Sequence, residues 1–168
     1  MSIDSLSFEE TGFRSSQHLV EWEEAEMFAF SLYIASKTSS LEEQLKYMDV
    51  AARNLDSILE LVGGPLYSEA IKLINYPLMD IFEVIEALGW QNLARLFRKS
   101  LAAVKGLDEL SIEDVALFAD MLGWNEGFSN ADPKVIGYAV ILSITASFNK
   151  ALNKIANIAN IATGSDLQ

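Results

Sequence analysis

Five carboxylates stand at three-residue intervals in two stretches of this chain, Glu23 and Glu26 in EWEEAE and Asp80, Glu83 and Glu86 in DIFEVIE. That spacing lines side chains along one helix face. Two such faces turned together could share Mg²⁺, which takes oxygen ligands and can hold a nucleotide's phosphates. The enzyme this pattern suggests is a Mg-dependent all-α nucleotide pyrophosphohydrolase. The two acidic motifs lie much farther apart in sequence than such enzymes place theirs, and the helix between them has no matching pair on its inner seam. Charges at this spacing also mark a solvated helix face, which is the reading preferred here. His18, the single histidine, forms an i,i+3 pair with Glu21. A di-metal bundle wants Glu-x-x-His on each of two helices; the order here is reversed and no second histidine exists. With no cysteine, no G-x-S-x-G and no Gly-rich phosphate loop, nucleophilic and nucleotide-cradling chemistries lack their residues. No catalytic residue, metal or cofactor is assigned from the sequence.

The binding candidates are of another kind. Asn149, Asn153, Asn157 and Asn160 fall with Lys150 and Lys154 on one arc of about 140°, at 100° per residue. Solvated faces normally use better helix formers, and each asparagine costs roughly 0.5 kcal/mol relative to alanine. Uncharged amides are cheaper than charges to bury against another chain, so the stripe is a candidate interface. The tripeptide Leu-Gly-Trp occurs at 88–90 and again at 122–124. Glycine after an amphipathic helix suits a Schellman cap, with the next residue closing back on the last turn. Trp90 is expected on Ile85, and Trp124 on Ala119 or Phe118. The interval of thirty-four positions equals the tetratricopeptide period, but the flanks do not recur and no third copy exists. Either tryptophan is also a candidate anchor for a partner, since tryptophan is enriched at binding hot spots.

The elements that must position these residues are all helical. Ser15 or Ser16 caps a helix to about 37 whose second half, MFAFSLYIA, is apolar nearly all round and should lie centrally. Ser40 and Glu43 form a capping box before a helix with a seam of Leu41, Leu45, Met48, Ala52, Leu55, Leu59 and Val62. Its outer face offers Glu42–Lys46 and Asp49–Arg53 as i,i+4 pairs. A short helix spans about 65–74. Another, about 77–88, carries Asp80, Glu83 and Glu86 on its outer face. A fifth, about 91–105, exposes Arg95, Arg98 and Lys99. Ser111, with Asp114 three positions on, caps a sixth that ends near Leu122. After a turn-rich loop, Pro133 opens a final helix to about 162. The expected fold is therefore all-α: a single-domain orthogonal or irregular bundle of six to seven helices with a long C-terminal helix. Residues 1–14 form a flexible lead-in, 15–163 the domain and 164–168 a tail.

Charge narrows the partners. The chain of 168 residues carries a net charge of −12. Twelve acids against four bases give −8 over 1–62, eleven against five give −6 over 63–132, and one against three gives +2 over 133–168. An acidic body repels phosphate backbones and anionic membranes, so direct nucleic-acid binding is not expected. The longest apolar run, Val135 to Ile144, is about half of a membrane span, and no secretory signal is recognised in MSIDSLSFEE, so a cytoplasmic location is expected. These readings converge on a non-enzymatic module that binds a partner protein, or a second copy of itself, through helix faces. The alternative is an acidic inhibitor that imitates nucleic acid toward a nucleic-acid enzyme, of the phage anti-defence kind.

Overall fold

A computed structural model of the chain describes residues 16–62, 64–75, 79–107 and 110–164, with the side chains of 16–22, 61 and 160–164 undescribed within their helices. The expected lead-in, the tail beyond Gly164 and the side chains of His18, Glu21 and Asn160 lie outside the described residues. The fold is 83% helical, without strands among the described residues. In chain order the helices are α1 (Ser16–Lys37), α2 (Leu41–Val62), α3 (Tyr67–Ala70, running on as a 3-10 turn, Ile71–Leu73), α4 (Ile81–Leu88), α5 (Trp90–Val104), α6 (Ile112–Met121) and α7 (Pro133–Gly164). A second 3-10 turn, Glu126–Asn130, leads into α7. The expected all-α bundle with its long final helix is what forms.

The centre belongs to α7. Every residue from Val135 to Ile141 is buried, as an all-round apolar stretch requires. Further along, burial contracts to one side, through Ile144, Phe148, Ala151 and Ile155. Helix α5 crosses α7 at close range. A Cβ placed on Gly137 would stand 2.8 Å from the Ser100 carbonyl oxygen and 3.3 Å from the Ala103 side chain. Glycine is needed there because only a hydrogen fits between the two backbones.

Helices α1 and α2 pack as an antiparallel hairpin. Among the described side chains of α1, Ala25, Phe28, Ala29, Leu32 and Ala35 are fully covered and Ser31 nearly so. The expectation that its second half is buried all round is therefore corrected. Met27 is 44% exposed, and Phe30, Tyr33 and Ile34 are half-buried, with Trp90 of α5 covering Phe30 and Tyr33 only in part. On α2 the deepest line runs through Met48, Ala51, Leu55 and Ile58. The expected Leu41, Leu45, Ala52, Leu59 and Val62 flank it half-buried. The line is displaced because α2 faces α7 as well as α1, so the buried strip is broader than a two-helix seam.

Caps account for most element boundaries. Ser111 and Asp114 make a reciprocal capping box at α6. At α2 the Glu43 amide bonds to Ser40 Oγ (3.3 Å), but the Glu43 carboxylate accepts from Thr38 Oγ1 instead (3.1 Å), so the box is half-formed. Of the two surface pairs, Arg53 meets Asp49 at 2.7 Å, whereas no ion pair joins Glu42 to Lys46 among the described residues. Helix α4 starts at Ile81 rather than near 77. Asp80 is its N-cap, accepting from the amides of Phe82 (2.9 Å) and Glu83 (3.1 Å).

The stretch Pro133–Ala159 is long and apolar enough by composition to cross a membrane, with a mean hydropathy of 1.5 in its best window. This corrects the estimate from uninterrupted apolar runs, since small polar residues dilute such runs without making the stretch polar. In the bundle 67% of that window is buried against the other helices.

Candidate functional site

Among the described residues the five carboxylates do not gather at one site. Glu26 forms a largely buried pair with Arg98, the two side chains 13% and 17% exposed. Burial pushes the Glu26 carboxyl above its ordinary value despite the guanidinium beside it. Asp80 is only 6% exposed, which corrects its placement on an outer face. One oxygen caps α4, and the other accepts from Lys154 Nζ at 2.7 Å. Burial alone would raise its carboxyl, but the Lys154 hydrogen bond, the Glu83 amide and the Lys154 charge together hold it below the usual carboxylate range. Glu83 lies 3.9 Å from the same ammonium. Among the described residues no three His, Asp or Glu side chains gather as a metal site, so the shared Mg²⁺ of the enzyme reading has no assembled ligand set there. The supposed basic cluster is corrected too. Arg98 is engaged inside the bundle, and Lys99 pairs with Asp114 at 3.2 Å.

The asparagine stripe emerges on the open side of α7. Asn149, Asn153 and Asn157 are all exposed, and none makes a side-chain hydrogen bond among the described residues. Four other asparagines behave differently, although exposed Asn130 likewise makes no side-chain hydrogen bond among the described residues. Asn54 and Asn92 donate back to the carbonyls of Val50 (2.9 Å) and Leu88 (2.7 Å). Asn75 donates to the Gly123 carbonyl at 2.8 Å, and Asn125 donates to that of Lys72. Lys154, expected in the stripe, is tied to Asp80, while Ile158 further along is 56% exposed.

The two tryptophans part company. Trp124 is 7% exposed. Its ring meets Phe118 edge-on at 6.0 Å and Phe128 at 5.8 Å, and Nε1 donates to Ser143 Oγ at 3.0 Å. It fills the core and is not accessible as a partner anchor. Trp90 is half-buried and stacks obliquely on Phe30 (5.1 Å) and Tyr33 (6.2 Å) of α1. It lines a groove of about 600 Å³ between the end of α1, the start of α2 and the α4–α5 joint, together with Tyr33, Lys37, Gln44, Phe82 and Glu86. A smaller crevice of about 220 Å³ lies between α5 and α6, bordered by Asn92, Arg95 and Leu117.

What spacing alone missed is the long-range pairing of charges, Glu26 with Arg98 and Asp80 with Lys154, across 72 and 74 positions. A local signal for Asp80 was present, since Asp-x-x-Glu before an apolar run is a helix-start signature. Nothing local marks which lysine would reach it. No protein-family model, no curated protein and no solved structure matches this chain.

Proposed function

We propose that the chain is a non-enzymatic assembly or protein-binding module that docks through the outer face of α7. The observation that supports this most is the row of Asn149, Asn153 and Asn157, exposed and without internal hydrogen bonds on the helix that otherwise forms the core. Three amides in such a row lower helix propensity by roughly 1.5 kcal/mol in all relative to alanine, and no side-chain hydrogen bond among the described residues offsets that loss. An amide ladder can exchange donors and acceptors with a facing helix at a smaller desolvation penalty than Lys or Glu would carry. The segment 133–168 also has a positive balance, unlike 1–62 and 63–132 taken whole, so an approaching acidic surface is not repelled there.

The experiment is the double substitution Asn153→Glu with Asn157→Glu, read by light scattering after size exclusion and by capture of partner from the native host. The expected result is a loss of oligomeric mass or of the captured partner, with helical circular dichroism and thermal midpoint held within a few degrees. Unchanged mass and unchanged capture would remove the reading.

A further inference from the structure

We propose that the groove beside Trp90 is a second, separate binding site, and that it takes an arginine side chain presented by a partner protein. The groove face of α4 consists of Phe82, Ile85 and Glu86, followed by Gly89 and Trp90, at the 3- and 4-residue spacing of one helix face. It is distinct from the α7 stripe. Asp80, at the start of the same helix, ties α4 to Lys154, whereas Glu86 opens on the groove more than a turn later.

Three features select the occupant. The first is aromatic: Trp90 and Tyr33 line the groove, and indole faces attract guanidinium groups. A cation already uses this chemistry, as the Lys37 ammonium stands 5.7 Å from the centroid of Tyr33. The second is an available anion. Glu26, Asp80 and Glu83 each face a cation of the chain, while exposed Glu86 has no such partner among the described residues. A planar guanidinium can stack on an aromatic ring and bond a carboxylate in the same pose, which an ammonium does less well. The third is long-range: a chain of net charge −12 steers basic partners toward it. Lys37 at the Tyr33 end sets the limit, because its charge disfavours a second cation and selects one arginine rather than a basic run.

The test uses isotope-labelled full-length protein titrated with N-acetyl-arginine amide, followed on the indole N–H of Trp90, which is identified by its loss in Trp90→Phe. Saturable shifts at Trp90 and at the Glu86 and Gly89 amides are expected, weakening at least threefold from low to 300 mM salt. Glu86→Gln should remove at least three-quarters of the affinity while leaving the oligomeric mass unchanged, and N-acetyl-citrulline amide should give no saturable shift. Equal binding of the citrulline compound, wild-type affinity in Glu86→Gln, or shifts confined to other regions would each overturn the assignment. The α7 reading is judged by mass and capture, so the two proposals fail independently.

Discussion

Helices α4 and α6 are built alike and finish differently. An aspartate helps cap each start, Asp80 as the N-cap of α4 and Asp114 three positions after the N-cap Ser111 of α6, and each helix runs into Leu-Gly-Trp. At α6 the ending is a Schellman motif: the Trp124 amide donates to Ala119 O (3.0 Å) and the Gly123 amide to Asp120 O (3.2 Å), with Gly123 at φ 67°. The chain then enters the turn-rich Asn125–Asn130, and Trp124 folds back into the core. At α4 the Gly89 amide closes the helix on Ile85 O (2.8 Å), while its carbonyl already accepts from Leu93 (3.0 Å). Gly89, at φ 90° and ψ 140°, is thus the end of one helix and the cap of the next, and Trp90 is the first residue of α5. The same tripeptide yields a sealed core residue in one place and a half-open groove wall in the other. The following residues decide: QNLARLF continues a helical period, whereas NEGFSN cannot.

The contrast breaks most readily at the tryptophans. Trp124→Ala should cost about 3–5 kcal/mol, as for other large-to-small core changes, and Trp90→Ala clearly less, because its ring is only partly covered. Urea unfolding of both variants checks the order, and equal losses would erase the distinction between a core and a groove residue.

The glycines come next. Asparagine tolerates the left-handed region but not the extended positive-φ region around Gly89. Gly123→Asn should therefore cost under about 1 kcal/mol, and Gly89→Asn roughly 1–3 kcal/mol, measured as a difference in thermal midpoint. Reversal of that order would mean that the joint at 89 relaxes in the variant.

The smallest effect concerns the caps. The Asp80 and Asp114 carboxyls are both held below the ordinary value. Their contribution is complete above the unfolded pKa, near 3.9, and is lost as pH falls through the lower folded values. Glu26 acts oppositely: its raised carboxyl takes a proton earlier on acidification, which favours the folded state. Asp80→Asn should flatten the acid limb of the stability profile more than Asp114→Asn, since the Asp80 carboxyl is 9% exposed against 30% for Asp114. Each cap is worth about 1 kcal/mol.

Fold class and the approximate extents of the helices were legible along the chain, because apolar periodicity and capping residues act within a few positions. Met27, Phe30, Tyr33 and Ile34 show where that reading stops. An apolar side chain is buried only if another element comes to cover it, and that depends on packing far away in sequence. The same limit governs the site. The asparagine row on α7 is a property of helical spacing and could be read directly. The groove that sets Glu86 and Trp90 across from Tyr33 and Lys37 arose only when α1 and the α4–α5 joint came together. Likewise, which carboxylates were neutralised was set by Lys154 and Arg98 arriving from more than seventy positions away. Local hydrogen bonds and hydrophobic period are encoded residue by residue, whereas grooves and charge pairs belong to surfaces that exist only after the helices have packed.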